Sequence, residues 1–421
     1  MKSIKKYLDF LLKYKFQIIL IAVFLCEVFL RFYQMDTRDP FGYDQVDNAW
    51  AAKAIVVDHQ FPTIGMPAKA NSGIYVGPAY YYMLAVVYWL FNLNPIAAGF
   101  AAGLTSIFNF WVIYFICKKL FNRNLALIAV FINTFVFHEI VFDRVQVPIN
   151  FIPSIALLIF YVLYRITQGD VKKIPILALL IGFDFNIHFT AIFYPIIVFL
   201  TLPFFPRTKQ ALKYIVLSIP LFLIWVLPST ITELQRKSDY GSFSNYLSTN
   251  FIGFHLRRVL QLLGDGIIQF DQYIIIKQLK YIALPLFFVA FLYKSISREK
   301  LVFCFLIILF FVVPWFGFAT YSGEITDYYF AISRYIALFI VSYFLYRLWI
   351  IRKLPTRVIT IFVLCYIMYT GLISFMPEHD GGVVNAEREV SAKIQMGKVI
   401  KYQQGVPGAY IYYYLTKVKN K

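Results

Sequence analysis

Apolar runs about as long as a bilayer is thick recur along nearly the whole chain. A helix needs about 20 mainly apolar residues to cross the hydrocarbon core, and many such runs lie within the 421 residues. Hydrophobic residues make up 60% of the chain and charged residues 15%, against about 45–50% and 25% in soluble proteins. The mean hydropathy is +0.67. These values exclude a water-soluble globule and predict an all-α polytopic membrane protein.

The hydropathy pattern predicts about 11 transmembrane helices. We place them near 16–32, 97–117, 125–142, 148–165, 174–189, 190–206, 213–229, 281–295, 301–319, 330–350 and 356–376. The stretch 76–93 is also apolar, but it begins with Gly77-Pro78, and we interpret it as a partly immersed outer helix. The predicted organisation is a transmembrane domain over 1–376, with a first outer loop at 34–96, followed by an outer-side tail over 377–421.

The distribution of charge predicts the orientation of the spans. On the predicted topology, one side of the membrane collects 21 basic residues and only three acids, Asp9, Asp170 and Glu299. Because Lys and Arg accumulate in cytoplasmic loops, the N-terminus is expected in the cytoplasm and the long loops outside, as in a cytoplasmic (inner) membrane protein. The formal net charge of +18 is then mainly a topology signal, and no nucleic-acid partner is expected.

Two acidic residues in the first outer loop stand at the start of a predicted interfacial helix. The loop turns at Asp39-Pro40 and Gly42, and a short amphipathic pattern typical of interfacial helices runs from about Gln45 to Val57. Asp44 then lies at the helix N-terminus and Asp47 in its first turn. A carboxylate there is either a helix cap or a general base held at the outer membrane boundary.

This loop resembles the first outer loop of the type C glycosyltransferases, a superfamily that includes protein O-mannosyltransferases and the aminoarabinose transferases of lipid A. The resemblance rests on three motifs within 31–90: the acidic pair Asp44-Gln45, the turn His59-Gln60-Phe61-Pro62, and the helix start Gly77-Pro78-Ala79-Tyr80-Tyr81-Tyr82. It implies that Asp44 is the catalytic base. The family often has Asp-Glu at the first motif, so Gln45 leaves an amide that positions rather than titrates, and Asp47 is the substitute second acid.

The same resemblance extends to a polar cluster after the third predicted span. The segment with Glu139, Asp143 and Arg144 resembles a Ser-Arg-containing turn of the family. It implies that Arg144 contacts the donor phosphate, to which a guanidinium fork is suited, and that Glu139 and Asp143 position it or the acceptor. The alternative is an ion pair of Arg144 with Asp143 or Glu139.

Two further elements match more weakly. Asp184, Asn186 and His188 interrupt the span at 174–189, and ionisable residues there are candidates for function, with His188 a donor-binding candidate; otherwise they are satisfied against neighbouring helices. Arg334-Tyr335 resembles the family's late Arg-Tyr element and is the second candidate for the donor phosphate. The alternative for Arg334 is a snorkelling anchor.

No metal site is predicted. The four cysteines and five histidines show no ligand spacing, and no cofactor is expected, although Asp44 and Asp47 leave room for a weakly bound divalent cation.

The resemblance implies a hexosyl- or pentosyltransferase that moves a sugar, with inversion, from a polyprenyl-phosphate donor to a lipid, glycan or protein acceptor at the outer face, as in the synthesis of a cell-envelope glycan. The alternative is a carrier or flippase for a lipid-linked glycan, which would place functional polar residues through the depth of the bilayer. A noncatalytic assembly subunit is a third possibility.

Overall fold

The computed structural model describes residues 2–68, 72–236, 240–251, 253–351, 353–377, 381–396 and 406–419. Within these ranges the chain is almost entirely helical. Pairing of extended segments there is limited to two isolated antiparallel bridges, Pro67 with Tyr75 and Phe251 with Tyr321. The predicted all-α fold is therefore confirmed.

The helices follow one another with mostly short connections. The first half contains α1 (Lys2–Phe32), α2 (Met35–Arg38), α3 (Tyr43–Val56), α4 (Ala79–Leu90), α5 (Ala97–Leu120), α6 (Arg123–Phe135), α7 (Phe137–Phe142), α8 (Ile152–Thr167), α9 (Ile174–Phe185) and α10 (Phe193–Thr201). The second half contains α11 (Lys209–Gln235), α12 (Tyr240–Asn250), α13 (Leu256–Ile267), α14 (Lys280–Leu292), α15 (Arg298–Ala319), α16 (Ala331–Ile350), α17 (Leu354–Phe375), α18 (Gly382–Gln395) and α19 (Pro407–Tyr413).

Six of the described helices are long and apolar enough to cross a membrane. They are α5, α8 with the 3-10 turn before it, α11, α15, α16 with the 3-10 turn before it, and α17. Three shorter helical stretches are also apolar: Ala79–Leu90, Arg123–Phe135 and Phe189–Phe204. All of the predicted spans fall on helical segments, and the polytopic membrane architecture is confirmed. The number of spans stays a prediction, as does the division at residue 376.

The predicted span at 125–142 is interrupted in the structure. Helix α6 ends at Phe135, and Val136 is extended, with φ −67° and ψ 124°. The last carbonyl groups of a helix lack partners within that helix. Here Arg31 of α1 supplies them, donating to the carbonyl oxygens of Asn133 and Thr134 at 3.1 and 2.7 Å. The end of α6 is thus supported by a side chain that is distant in sequence. Sequence periodicity alone does not reveal this break in the helix.

The two helices of the first outer loop agree with their prediction. Helix α3 covers the predicted amphipathic stretch, and α4 occupies the centre of 76–93. Helix α4 has 12 residues, which at 1.5 Å per residue make about 18 Å, well short of the roughly 30 Å hydrocarbon core. It packs against α3 and α5, so the loop folds onto the helical bundle.

Helix α16 forms the centre of the bundle. It packs against α6, α8, α15 and α17, and nearly all of its apolar length is buried. Helix α11 is the opposite case, since it packs mainly on α9 and leaves most of its apolar surface exposed. Helices α1 and α5 meet closely at Gly103, where an added Cβ would lie 2.5 Å from the Phe32 ring. The GxxxG pair Gly99 and Gly103 therefore serves helix packing.

The C-terminal tail packs on the first outer loop. Helix α18 contacts α2, and α19 contacts α3. Tyr410 is fully buried, its ring lies 5.1 Å from that of Trp50 and 6.2 Å from that of Tyr88, and its hydroxyl donates to the Leu93 carbonyl oxygen at 3.0 Å. The tail is thus part of the support of α3.

Candidate active site

The two carboxylates of α3 lie on its solvent-exposed side. Gln45, Val46, Asn48 and Ala49 are buried, whereas Asp44 and Asp47 are exposed. Residues three apart in a helix are neighbours on one face, so the two carboxylates share a face. Within the described part of the chain, no hydrogen bond or ion pair involves either one. Asp44 therefore does not act as a side-chain cap here.

A side chain does complete the first turn of α3, but it is that of Gln45. Its Oε1 accepts from the Gly42 backbone N–H at 2.8 Å, and its Nε2 donates to the Gln146 carbonyl oxygen at 2.9 Å. Gln45 thus makes the capping-box bond, in which the side chain of the third helical residue accepts from the backbone N–H of the N-cap residue. The carboxylate of Asp44 is left available for other partners.

Tyrosines from α4 and its approach border the carboxylates. Partial burial and the neighbouring Asp44 carboxylate raise the pKa of Asp47. Burial, together with the nearby Asp47 and Tyr75, raises the pKa of Tyr81 to about 12. Asp44 and Asp47 are therefore within electrostatic reach of each other, and Asp47 and Tyr75 are both within reach of Tyr81.

Two cavities meet at Tyr75. The first, of about 330 Å³, is lined by Tyr75, Gly77, Asn186, Thr230, Glu233 and Arg236, among others. The second, of about 480 Å³, is almost wholly apolar, and its lining includes Tyr75, Phe189, Phe193, Phe251, Phe318 and Tyr329. Tyr75 and Asp47 both influence the Tyr81 phenol electrostatically, whereas neither Asp44 nor Asp47 itself lines either cavity.

Access to the apolar cavity lies on the outside of the bundle. Ile192, Ile196 and Phe251 line it and are all largely exposed. In a membrane protein, large exposed apolar side chains face acyl chains. A cationic side chain stands at its rim: Arg258 donates to the carbonyl oxygens of Tyr321 and Gly323 at 3.3 and 3.0 Å, and Tyr321 lines the cavity.

The predicted phosphate ligand Arg144 is buried and paired. Its guanidinium contacts the Asp39 carboxylate at 2.5 Å and donates to the carbonyl oxygens of Leu30 and Tyr33. This partner is neither of the two that the sequence suggested. Asp143 instead pairs with Arg31 at 3.0 Å, and Arg31 also contacts Glu27 at 3.2 Å.

The second predicted phosphate ligand, Arg334, is also buried and paired. Its Nε and Nη2 lie 2.9 Å from the two carboxylate oxygens of Glu139, and Tyr273 donates to the same carboxylate at 2.5 Å. Neither Arg144 nor Arg334 lines either cavity. Tyr335, the next residue of α16, is also buried.

His188 lies closer to the apolar cavity. Its ring centroid is 4.4 Å from that of Phe189 and 6.1 Å from that of Tyr329, and both of these rings line the cavity. Its Nδ1 lies 3.0 Å from Thr190 Oγ1. The structure therefore brings His188 near one side of the candidate site, and it places Arg144, Arg334 and Tyr335 in the supporting core.

Several residues of the site were not identified from the sequence. Arg236 lies with its guanidinium 4.2 Å from the centre of the Tyr75 ring, and Gln146 bonds to both Gln45 and Tyr80. Arg236 follows an apolar span on the predicted outer side, and that position was an available signal. No pattern marks Gln146.

The described residues contain no group of three or more His, Cys, Asp or Glu side chains that would hold a metal ion. His379, one of the five histidines of the sequence, lies outside the described residues. Asp44 and Asp47 are the nearest approach to a ligand pair at the site. The predictions that no cofactor is needed and that a cation binds weakly remain untested.

Part of the chain also resembles a family of glycosyltransferases in sequence. Residues 75–231 match the family model described as dolichyl-phosphate-mannose-protein mannosyltransferase. No curated protein matches the chain. The family match over residues 75–231 bears out the predicted glycosyltransferase class, and the solved structures confirm the predicted fold.

Three solved structures illustrate the likeness. ArnT from Cupriavidus metallidurans in the apo state is 13% identical, with a TM-score of 0.61, over 94% of this chain and 84% of that one. The same protein bound to undecaprenyl phosphate is 12% identical, with a TM-score of 0.57, over 95% and 74%. The archaeal oligosaccharyltransferase AglB from Archaeoglobus fulgidus, in complex with an inhibitory peptide and a dolichol-phosphate, is 12% identical, with a TM-score of 0.57, over 91% and 58%. At these identities the likeness establishes the fold.

Proposed function

We propose that this protein transfers a sugar from a polyprenyl-phosphate donor to a lipid, glycan or protein acceptor at the outer face of the cytoplasmic membrane, with Asp44 as the general base. The observation that carries the proposal is the exposed carboxylate of Asp44, which has no hydrogen-bond or ion-pair partner among the described residues and belongs to a loop whose Tyr75 lines both cavities. The neighbouring polar side chains of Gln45, Gln146 and Tyr80 are buried and bonded to one another.

In the proposed reaction, Asp44 accepts the proton of an acceptor hydroxyl or amine as that group attacks the anomeric carbon. The bond from the anomeric carbon to the donor phosphate oxygen breaks, and the electron pair leaves with the polyprenyl phosphate. Attack from the face opposite the leaving group inverts the configuration. Asp47 keeps the local field negative, which disfavours negative charge on the acceptor, so its proposed role is to orient the acceptor and not to ionise it.

The apolar cavity is the proposed site of the prenyl chain near its phosphate. Its lining is almost wholly apolar, and its exposed members Ile192, Ile196 and Phe251 open it towards acyl chains. Two solved structures with this fold contain undecaprenyl phosphate and dolichol-phosphate, respectively, which supports a lipid-phosphate donor for this chain as well.

We propose that the donor phosphate binds to the arginine side chains that lie at the two cavities. Arg258 stands at the rim of the second, apolar cavity, and Arg236 lines the first one. His188 is proposed as a donor contact through its position beside Phe189 and Tyr329. Contact of the phosphate with Arg144 or Arg334 requires that they leave Asp39 or Glu139. Tyr335, the third residue for which a donor contact was predicted, is buried next to Arg334 in α16.

The proposed orientation follows from charge. With 21 basic residues on the short-loop side, the N-terminus is placed in the cytoplasm and α3 outside. No cofactor is proposed. A divalent cation, if used, would be shared by Asp44 and Asp47, and transfer measured with and without a chelator tests that point.

The experiment compares Asp44→Asn with Asp58→Asn. Asp58 is an exposed carboxylate just beyond the C-terminal end of α3, where it pairs with Lys53. Both variants are purified into lipid nanodiscs and supplied with undecaprenyl phosphate carrying radiolabelled hexoses or pentoses and a membrane-glycan extract. Asp44→Asn is expected to lower transfer at least a hundredfold, since general-base catalysis contributes about that much, while Asp58→Asn transfers as the parent protein does.

Two outcomes contradict the proposal. Transfer by Asp44→Asn at the parent rate shows that Asp44 is not the base. Movement of intact lipid-linked sugar across proteoliposomes, with no covalent transfer by the parent protein, favours the carrier.

A further inference from the structure

The first turn of α3 is joined to two other segments by a buried chain of amides. Gln45, Gln146 and Tyr80 are 4%, 1% and 6% exposed. The Gln45 Nε2 donates to the Gln146 carbonyl oxygen at 2.9 Å, and the Gln146 Nε2 donates to the Tyr80 hydroxyl at 2.6 Å. Together with the bond from the Gly42 N–H to Gln45 Oε1 at 2.8 Å, this chain connects α3, the segment after α7, and α4.

The bonding pattern requires an amide at position 45. A backbone carbonyl oxygen only accepts and a backbone N–H only donates. Position 45 must therefore donate on one side and accept on the other at the same time. Gln does both, whereas an ionised Glu accepts only. In this chain, the neutral side chain of the residue after Asp44 therefore accepts one hydrogen bond and donates another.

Asp44 lies inside the turn that this amide closes. The bond between Gly42 and Gln45 fixes residues 42–45, and the bond to Gln146 fixes that turn against the bundle. The two carboxylates of α3 have no bonded partner of their own in the described structure, so their direction depends on the helix that carries them.

We propose that Gln45 and Gln146 are positioning residues that orient Asp44 towards the acceptor, and that the essential property of position 45 is its N–H donor. This inference rests on the proposed role of Asp44 as general base. It predicts that the Asp-Gln pair is not interchangeable with Asp-Glu in this chain. Gln45→Glu changes no volume and keeps the bond from Gly42, but it opposes a carboxylate to the Gln146 carbonyl oxygen.

Gln45→Glu is expected to lower kcat by about tenfold to hundredfold at pH 8, since small misplacement of a reacting group costs that much, and to leave KM for the donor unchanged. Burial and an opposing carbonyl raise the pKa of a carboxyl group, and the introduced side chain donates again once it is protonated. The ratio of variant to parent activity therefore rises as the pH falls towards 6. Gln45→Ala loses activity at every pH in a constant ratio.

Gln168→Glu is the matched control, because Gln168 is exposed in a short loop between α8 and α9 and the change is chemically the same. It is expected to match the parent in kcat, KM and pH profile. A Gln45→Glu variant with parental kcat and pH profile, in protein of parental thermal stability, overturns the inference.

A second measurement needs no activity. Hydrogen exchange of the backbone amides of residues 44–46 is expected to be faster in Gln45→Glu at pH 8 than in the parent or in Gln168→Glu. If the parent protein transfers no sugar, the proposed function has failed. The exchange result still tests the bridge, that is, the hydrogen bonds that connect Gly42, Gln45, Gln146 and Tyr80. Equal exchange in all three proteins overturns the bridge itself.

Discussion

The guanidinium of Arg334 and the carboxylate of Glu139 form a two-point ion pair in the interior, with both nitrogen–oxygen distances at 2.9 Å. Tyr273 donates to the same carboxylate, and the Phe142 ring lies 4.2 Å from the guanidinium carbon. The pair therefore joins α7, α16 and the segment before α14. The positive charge of Arg334 is already neutralised by Glu139. Arg334 would have to leave this carboxylate in order to bind the donor phosphate, which is the role predicted from the sequence.

Arg334→Met is expected to destabilise the protein by about 3–5 kcal/mol, because it leaves the Glu139 charge buried without a partner. The double variant Glu139→Leu with Arg334→Met is expected to recover much of that loss, since it removes both charges. Thermal unfolding in detergent measures both. Arg334 has the predicted phosphate role instead if Arg334→Met keeps parental stability and raises KM for the donor.

Asp39 makes stability depend on pH. Burial raises the pKa of Asp39 from 3.8 to about 7, although the Arg144 guanidinium opposes the shift. The folded protein then holds a proton between about pH 4 and pH 7 that the unfolded chain has released. Its contribution to stability is present below pH 4, falls as the pH rises through this window, and is lost above about pH 7.

Asp39→Asn removes this titration, and the difference in unfolding temperature between parent and variant measures it. The difference is expected to change between pH 4 and pH 7 and to be constant above. A difference that stays constant across the whole window shows that Asp39 is ionised throughout in the folded protein.

Gly371 has no room for a side chain. A Cβ there would lie 1.8 Å from the Phe135 carbonyl oxygen, at the point where α17 crosses the end of α6. Gly371→Ala is expected to lower the unfolding temperature markedly, because backbone must move. Gly264→Ala is the control: nothing lies within 4 Å of its Cβ position, and Ala in a helix is worth roughly 0.5–1 kcal/mol over Gly. Equal effects of the two changes contradict the packing of α17 on α6.

The tail supports the first outer loop through Tyr410. Tyr410→Ala removes a fully buried aromatic side chain and is expected to cost about 3–5 kcal/mol, with sugar transfer falling because α3 loses its contact at Trp50. Tyr412→Ala changes the half-exposed neighbour and is expected to have little effect. Proteolysis of the first outer loop, measured in parallel, should accelerate in the first variant alone.

Much of the architecture follows from patterns that are local in sequence. Apolar runs predict the helices, and α3 and α4 appear where the amphipathic stretch and Gly77-Pro78 place them. The exposure of Asp44 also follows, because the apolar residues of α3 define which face is buried. These features depend on hydrophobic periodicity and on turn residues. Both can be recognised without knowing which distant residues contact the segment.

The pairing of charges does not follow from local patterns. Arg144 was predicted to contact the donor phosphate, with an ion pair to Asp143 or Glu139 as the alternative. Its partner in the structure is Asp39 of the first outer loop. The break at Val136 depends on Arg31 of α1, and the bridge at Gln146 on α3 and α4. These contacts join residues between about 65 and 105 positions apart, and one sequence carries no signal of such pairings.

The position of Tyr410 also has a consequence for how the molecule is made. Its hydroxyl binds the Leu93 carbonyl oxygen, 317 residues earlier in the chain. The loop that carries Asp44 thus emerges during synthesis long before the side chain that packs against it. The proposed catalytic loop therefore reaches its final packing only after every predicted span has been made, so a chain interrupted within its last helices would be inserted in the membrane but not yet competent.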